Sequence, residues 1–333
     1  MAKLAHGLSP QAIALFAAFL AVMLILPLVA GDYLLTVLIL ILYFAYVGQA
    51  WNVMMGFVGQ LSLGHALYVG LAGYVSAVLF KELGVGPWIG LFAAIPIAMI
   101  AGAVIGFLAL RFGVTGVYFA ILTIAFAEFA RIGFDHLDIV NGSGGLFLPV
   151  SAQTANDLWL LRGSPTMFYY VILAATLVAL VFCRFLIRSR MGYFWQAIRE
   201  DEEAARAAGI DTFRYKMAAV VISAGMTAFA GVFYTFYYNN LFPEQVFNIS
   251  RSIEIIVGPI IGGVGSLLGP VVGAFLLTGL AEGLNSFLDM IGVDIPGAKQ
   301  VLYGVCLLFV IIALPGGVWP WLARHLRITR DHR

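Results

Sequence analysis

Apolar runs as long as a bilayer is thick constrain this chain more than any other feature. Ten apolar segments lie at 11–29, 33–50, 66–80, 87–110, 115–134, 166–187, 216–238, 252–264, 271–287 and 299–314. A helix crosses hydrocarbon with about 20 such residues. The segments 66–80 and 252–264 fall short and adjoin glycine-rich stretches, so both are expected to be broken or re-entrant helices. The runs are continuous rather than alternating, which excludes an outer-membrane barrel. Only 11% of the residues are charged, against about 25% in soluble domains, and no soluble fold of this length could hide the apolar remainder. The expected fold class is an all-α polytopic membrane protein with about 8–10 transmembrane segments, forming one transmembrane domain over 1–333. The lipid bilayer is therefore a partner, and a net charge of +1 gives no reason to expect nucleic acid. Cys183 and Cys306 fall in apolar segments without metal or redox spacing and read as small hydrophobes. No small-residue cleavage site follows 11–29, which reads as a retained span.

Lys and Arg set the orientation. With both termini inside, Lys3, Arg111, the seven basic residues from Arg184 to Lys216, Arg324, Arg327, Arg330 and Arg333 are cytoplasmic, 13 of 18. Lys81, Arg131, Arg162, Arg251 and Lys299 lie outside or near outer span ends. Trp51, Trp88, Trp319 and Trp321 sit at segment ends, as an aromatic belt requires. Trp159 and Trp195 lie in the two largest loops. The outer, periplasmic loop 135–165 carries Asn141-Gly142-Ser143-Gly144-Gly145, a flexible turn. Its apolar patch Leu158-Trp159-Leu160-Leu161 is either a surface helix on the bilayer or a docking surface for a periplasmic partner.

The charges concentrate between the sixth and seventh segments. Arg188 to Lys216 holds 11 of the 35 charged residues, and 188–215 is expected to be the main cytoplasmic loop. Glu200 to Ala208 reads as a short helix, with glutamates in its first turn, Arg206 near its end and Gly209 as a left-handed stop. Arg199 with Glu203, and Glu202 with Arg206, are spaced to pair. Ala204, Ala205, Ala207 and Ala208 offer a smooth surface to another protein. A solvated loop is the plainer reading of such charges. The spacing Glu203-Ala204-Ala205-x-x-x-Gly209 resembles the E-A-A-x-x-x-G signature of bacterial ABC importer permeases, without the I-x-L-P that often follows. In that family the loop is a coupling helix that docks on the ATPase. The resemblance makes Arg199, Glu200, Glu202, Glu203, Ala204, Ala205 and Gly209 the expected ATPase-coupling residues.

Two glycine-rich segments stand out, Gly56 to Ala66 and Gly262 to Ala274. Glycine in membrane helices commonly serves close packing. At this density, and with Pro270, it points to broken helices lining a cavity, because unwound backbone at membrane depth needs protein or water partners. The expected translocation pathway runs past Gly59, Gln60, Ser62, Gly64 and His65, and past Gly262, Gly263, Gly265, Ser266 and Gly269. Their similar texture allows an internal repeat. Asn52 and Glu282 add polarity in or near spans. Glu128 and Glu254 are the ionisable residues at membrane depth; each either serves a pathway or pairs locally, with Arg131 and Arg251. His65 is either a neutral packing residue or a proton relay.

No catalytic site is expected in this chain. None of the four lysines follows a glycine, so there is no Walker A loop, and no metal spacing, nucleophile elbow or carboxylate pair is found. Cofactors are expected to be absent, with ATP and Mg bound by a partner.

The segment G-x-x-G-Q-L-S-L-G-H-A from Gly56 is similar to a signature of the branched-chain amino-acid ABC permeases, M-type subunit. So are A-I-R-E-D-E-x-A-A-x-x-x-G-I from Ala197 and I-I-G-G-V-G-S-L-L-G-P-V-V-G-A from Ile260. The resemblance runs over most of the chain from Tyr33 onward. It implies a type II-like importer permease of the bacterial inner membrane, paired with a homologous H-type permease, two ATPase subunits and a periplasmic substrate-binding protein. The small-molecule cargo implied is a branched-chain or related amino acid, with urea or a short amide as the alternative. The outer loop departs from relatives that read G-G-S-D-G, since Asn141 to Gly145 lacks the acid. An ion-coupled secondary transporter, with Glu128 and Glu254 binding the ion, is the rival class; it gives no reason for the E-A-A-x-x-x-G loop. A membrane scaffold gives none for the glycine segments.

Overall fold

The computed structural model describes residues 10–149, 156–290, 304–305, 307–309 and 312–325. Half of the segment 299–314 lies outside them, as do Cys306, Lys3, Lys299, Arg327, Arg330 and Arg333. The helices are α1 (Pro10–Ile25), α2 (Asp32–Val58), α3 (His65–Leu83), α4 (Pro87–Arg111), α5 (Val117–Asp135), α6 (Pro165–Arg188), α7 (Arg190–Glu200), α8 (Glu202–Ala207), α9 (Thr212–Tyr238), α10 (Pro243–Val246), α11 (Ile249–Gly262), α12 (Gly269–Met290) and α13 (Val318–His325). Six of them, α2 to α6 and α9, are long and apolar enough to cross a membrane. Helices suit these sequences because in hydrocarbon every backbone N–H and C=O must be satisfied within the segment.

Two helices form the centre. The apolar stretch of α2 is 72% buried and that of α9 61%, against 22% for α5. α2 packs on α6, α9, α11 and α12, and α9 packs on α3 and α4. Small residues permit these contacts: a Cβ on Gly231 of α9 would collide with the Val69 carbonyl of α3, and one on Gly102 of α4 would lie 2.8 Å from Ala224 Cβ. Close backbone approach of this kind replaces the hydrophobic drive that is missing between helices in lipid.

The sequence reading is corrected in several places. α2 does not stop near Ala50; it runs to Val58, and Trp51 within it is fully buried rather than a belt anchor. Trp195 is likewise buried, on α7. The segment 66–80 is part of a continuous 19-residue helix, and its break lies in the chain before it. Residues 141–145 form an ordered turn: Asn141 has φ 62° and its Nδ2 donates to Gly145 O at 3.0 Å. The patch at 158–161 is no surface helix but a tight turn closed by Asp157 and Arg162, with Leu158 and Trp159 exposed.

The two loops at one end of the bundle are pinned together. β1 (Leu146–Phe147) pairs antiparallel with β2 (Asn240–Leu241), Leu146 opposite Leu241 and Phe147 opposite Asn240. Arg162 bonds Asn239 and lies 5.4 and 5.7 Å from the ring centroids of Phe80 and Phe236. Burial there lowers its pKa, and a guanidinium keeps its charge regardless. α7 and α8 lie at the opposite end, where α6 ends and α9 begins.

Candidate functional site

The charged loop folds into two helices rather than the single one expected over 200–208. Asp201 breaks it. Its backbone is extended (φ −155°, ψ 107°), and its Oδ1 accepts from Ala204 N at 2.9 Å, capping α8. An aspartate with two glutamates after it suits a helix start better than a helix interior. α8 ends as anticipated. Gly209 has φ 86°, its N–H donates to Arg206 O, and Ile210 N–H donates to Ala205 O, both at 3.0 Å. This pair of bonds is the Schellman motif, with Ile210 and Ala205 as its apolar contact.

The side chains divide between two faces. Trp195, Ile198 and Ala205 are buried with Val53, Phe57, Cys183, Leu186 and Ala219, and Trp195 Nε1 donates to Tyr215 O at 2.8 Å. The loop is thereby bolted to α2, α6 and α9. Ala205 faces this core, which corrects its assignment to the outer surface; Glu203, Ala204, Ala207 and Ala208 remain exposed. Glu202 pairs with Arg206 at 3.2 Å and with Lys216 of α9, whose side chain is almost wholly buried. Glu200 is exposed. The expected pair of Arg199 with Glu203 does not form, because Asp201 turns the chain between them; Arg199 instead donates to Gly56 O.

The second glycine segment lies along one face of α2, and the first returns along another. Gln49 Nε2 donates to Leu267 O at 2.5 Å, Asn52 Nδ2 donates to Ser266 O at 3.0 Å, and Asn52 Oδ1 accepts from Gly265 N at 2.8 Å. Trp51 Nε1 donates to Ser62 O at 2.8 Å. Trp51 sits seven residues before the end of α2, about 10 Å back along its axis at 1.5 Å per residue. The chain after Gly59 therefore doubles back beside α2 without helical bonds. Protein groups serve its backbone: Leu63 N donates to Thr123 Oγ1 at 3.0 Å, and Ala66 N to Ser252 Oγ at 3.1 Å. This is the condition under which irregular backbone survives at membrane depth.

Gln60, Ser62, Gly64 and His65 are buried, as are Gly262, Gly263 and Gly269, whereas Gly265 and Ser266 are half-buried and Gly59 is exposed. Ser223 Oγ donates to Ala50 O at 2.7 Å, so His65 Nε2, 2.8 Å from that oxygen, must be the donor to it. The imidazole is a packed, hydrogen-bonded group between α3 and α9. Glu128 pairs with Arg131 at 2.5 Å, and Arg131 with Asp135 at 2.9 Å; Glu254 pairs with Arg251 at 2.8 Å. Both glutamates thus bond within their own helices. Among the described residues no group of His, Cys, Asp and Glu could hold a metal.

The sequence does not single out Gln49, Thr123 or Ser252, and it presents Trp51 only as a belt residue and Lys216 only as part of the charged loop. Gln49, Asn52 and Gly56 stand three and four apart, and helical spacing alone places them on one face.

A model of the family described as branched-chain amino acid transport system, permease component, matches residues 33–311. The high-affinity branched-chain amino acid transport system permease protein LivM of Escherichia coli K12 is 28% identical over 310 residues, 87% of this chain and 70% of its own length. LivH of Salmonella typhimurium is 26% identical over 290 residues, 83% of this chain and 90% of its own. The xylose transport system permease protein XylH of Escherichia coli K12 is 30% identical over 162 residues, 46% of this chain and 39% of its own. No solved structure gives a significant match.

Proposed function

The chain belongs to the family of permease components of branched-chain amino acid transport systems, and from that membership we propose that it is the M-type half of an ABC importer permease pair in the bacterial inner membrane. Its partner is a homologous H-type permease. Two ATPase subunits bind ATP and Mg, and a periplasmic binding protein delivers a branched-chain or related amino acid. Both termini face the cytoplasm. The chain itself binds no nucleotide and catalyses no reaction.

One observation carries the mechanical part of this reading. α8 is a capped turn with a flat, exposed Ala204, Ala207 and Ala208 face, bolted from behind to α2, α6 and α9. Small side chains let a second protein approach its backbone closely. The buried anchors then pass a push on α8 to the long helices. The glycine segments lie at the near end of those helices, joined to α2, and are the parts of the pathway best placed to respond.

Reconstitution tests the proposal. The permease pair in liposomes, supplied with binding protein and amino acid, is expected to accumulate solute only after the ATPases and ATP are added. Accumulation by the permease pair alone, driven by a proton or sodium gradient, would overturn it.

A further inference from the structure

We propose that Arg199 is a latch that joins the ATPase-facing loop to both glycine segments at the cytoplasmic end of the pathway. The inference rests on the importer reading and adds to it a residue that acts inward rather than on the ATPase.

The latch begins with an unpaired carbonyl. At the end of α2, Gly59 N–H donates to Met55 O and Gln60 N–H to Met54 O. Gly56 O is among the last four carbonyls of the helix, which lack helical donors. Arg199, the last residue but one of α7, supplies the donor from its Nη1. A cation there also meets the negative end of the α2 dipole. The second glycine segment closes over the same group. Gly265 has φ 80°, and a Cβ on it would collide with Arg199 Nη1 and lie 2.7 Å from Gly56 O. Gly56 in turn has room for no side chain, since its Cβ would lie 2.7 Å from Gly265 N. The stem of Arg199 runs across Gly59, with its Cγ 3.5 Å from the position of a Cβ there.

One guanidinium therefore touches both glycine segments and the end of α2, and it springs from the helix that precedes α8. Among the described residues no carboxylate pairs with it, and the acceptor it meets is Gly56 O. Arg199 as a whole remains exposed. A contact of this kind, made by one exposed side chain to backbone, can open and close without unpacking a core. When the ATPases move α7 and α8, the seam between Gly56 and Gly265 moves with them through this side chain. Lysine could reach Gly56 O but has no planar fork to lie against Gly265 at the same time.

The test uses the assembled importer. Solute moved per ATP hydrolysed is measured for Arg199→Ala and Arg199→Lys. Each change is also placed beside Ser266→Cys, and labelling of that thiol by a small hydrophilic maleimide is compared without nucleotide and with ATP and vanadate. Coupling between sites is commonly worth 5–150-fold, so the transport ratio in Arg199→Ala is expected to fall about tenfold, with labelling no longer dependent on nucleotide. Arg199→Lys is expected to lose part of both. A variant that merely loosens the fold would lower transport and hydrolysis together and leave the ratio unchanged. A wild-type ratio with nucleotide-dependent labelling in Arg199→Ala overturns the latch; if that variant does not assemble, the same result in Arg199→Lys overturns it. Ala204→Trp, measured alongside, separates the two readings. If it abolishes stimulated hydrolysis while Arg199→Ala behaves as wild type, only the latch fails. If both behave as wild type, the importer coupling fails with it.

Discussion

Replacing Asn52 by Ala is expected to release the second glycine segment from α2. Asn52 is fully buried, and its one amide serves two backbone groups, Gly265 N at 2.8 Å and Ser266 O at 3.0 Å. The truncation leaves both without a partner. An orphaned buried polar group costs about 1–3 kcal/mol, so the pair could cost about 2–6 kcal/mol. Gly265 and Ser266 are only half-buried, and water can reach the gap left by the amide, which places the cost at the low end, about 2 kcal/mol. At 1.4 kcal/mol per tenfold, amide exchange at Gly265 is expected to quicken about 30-fold. Hydrogen–deuterium exchange on peptides spanning 263–268 measures this directly in detergent-solubilised protein. Gln49→Ala removes a single bond, to Leu267 O, and should quicken the same peptide less. Unchanged exchange in Asn52→Ala would refute the claim that α2 holds this segment.

Two further substitutions bear on the charged loop. Gly209 has φ 86° with open space around it, so Gly209→Val is limited by backbone strain of about 1–2 kcal/mol, and substrate-stimulated ATP hydrolysis should fall about tenfold. Gly209→Asn tolerates the left-handed cap and should remain near wild type; equal loss in both would mean that contact rather than shape matters there. Lys216→Met removes the buried partner of Glu202, but Glu202 is about a third exposed and keeps Arg206, so the loss is about 1 kcal/mol. Exchange in peptides spanning 202–208 should rise about fivefold, and no rise would show that α8 is not tied to α9 by this pair.

What the sequence disclosed followed from local chemistry. Segment length and hydropathy located the six helices long and apolar enough to cross a membrane, because bilayer thickness fixes how many residues a helix needs. Gly209 was legible as a left-handed cap because few other residues tolerate that backbone. The pairs Glu128–Arg131, Glu202–Arg206 and Arg251–Glu254 were legible because helical spacing presents them to each other. Cys183 read as a packed hydrophobe and is buried. The misses were long-range. Trp51 looked like an interfacial anchor, yet α2 continues past it and Ser62 supplies its partner. Arg199 looked like a partner for Glu203, and nothing nearby in sequence shows that Gly56, 143 residues away, offers it an unpaired carbonyl. Asp201 was read as one more charge in a helix; its competing role as a cap split that helix in two. The candidate pathway was visible as glycine, and the stripe Gln49, Asn52 and Gly56 by its spacing, but that the stripe meets the segment at 265–267 needed the fold.

The most direct test of the central claim, that the exposed face of α8 receives the ATPase, is ATP hydrolysis by the assembled importer carrying Ala204→Trp. Ala204 is exposed, so the variant should insert and reach wild-type levels. The indole would hold the two proteins apart at the point of contact. Hydrolysis stimulated by amino-acid-loaded binding protein is expected to fall to the unstimulated rate, and uptake to fall with it. Wild-type stimulation and wild-type uptake at equal expression would contradict the claim and leave the exposed face of α8 as a solvated surface.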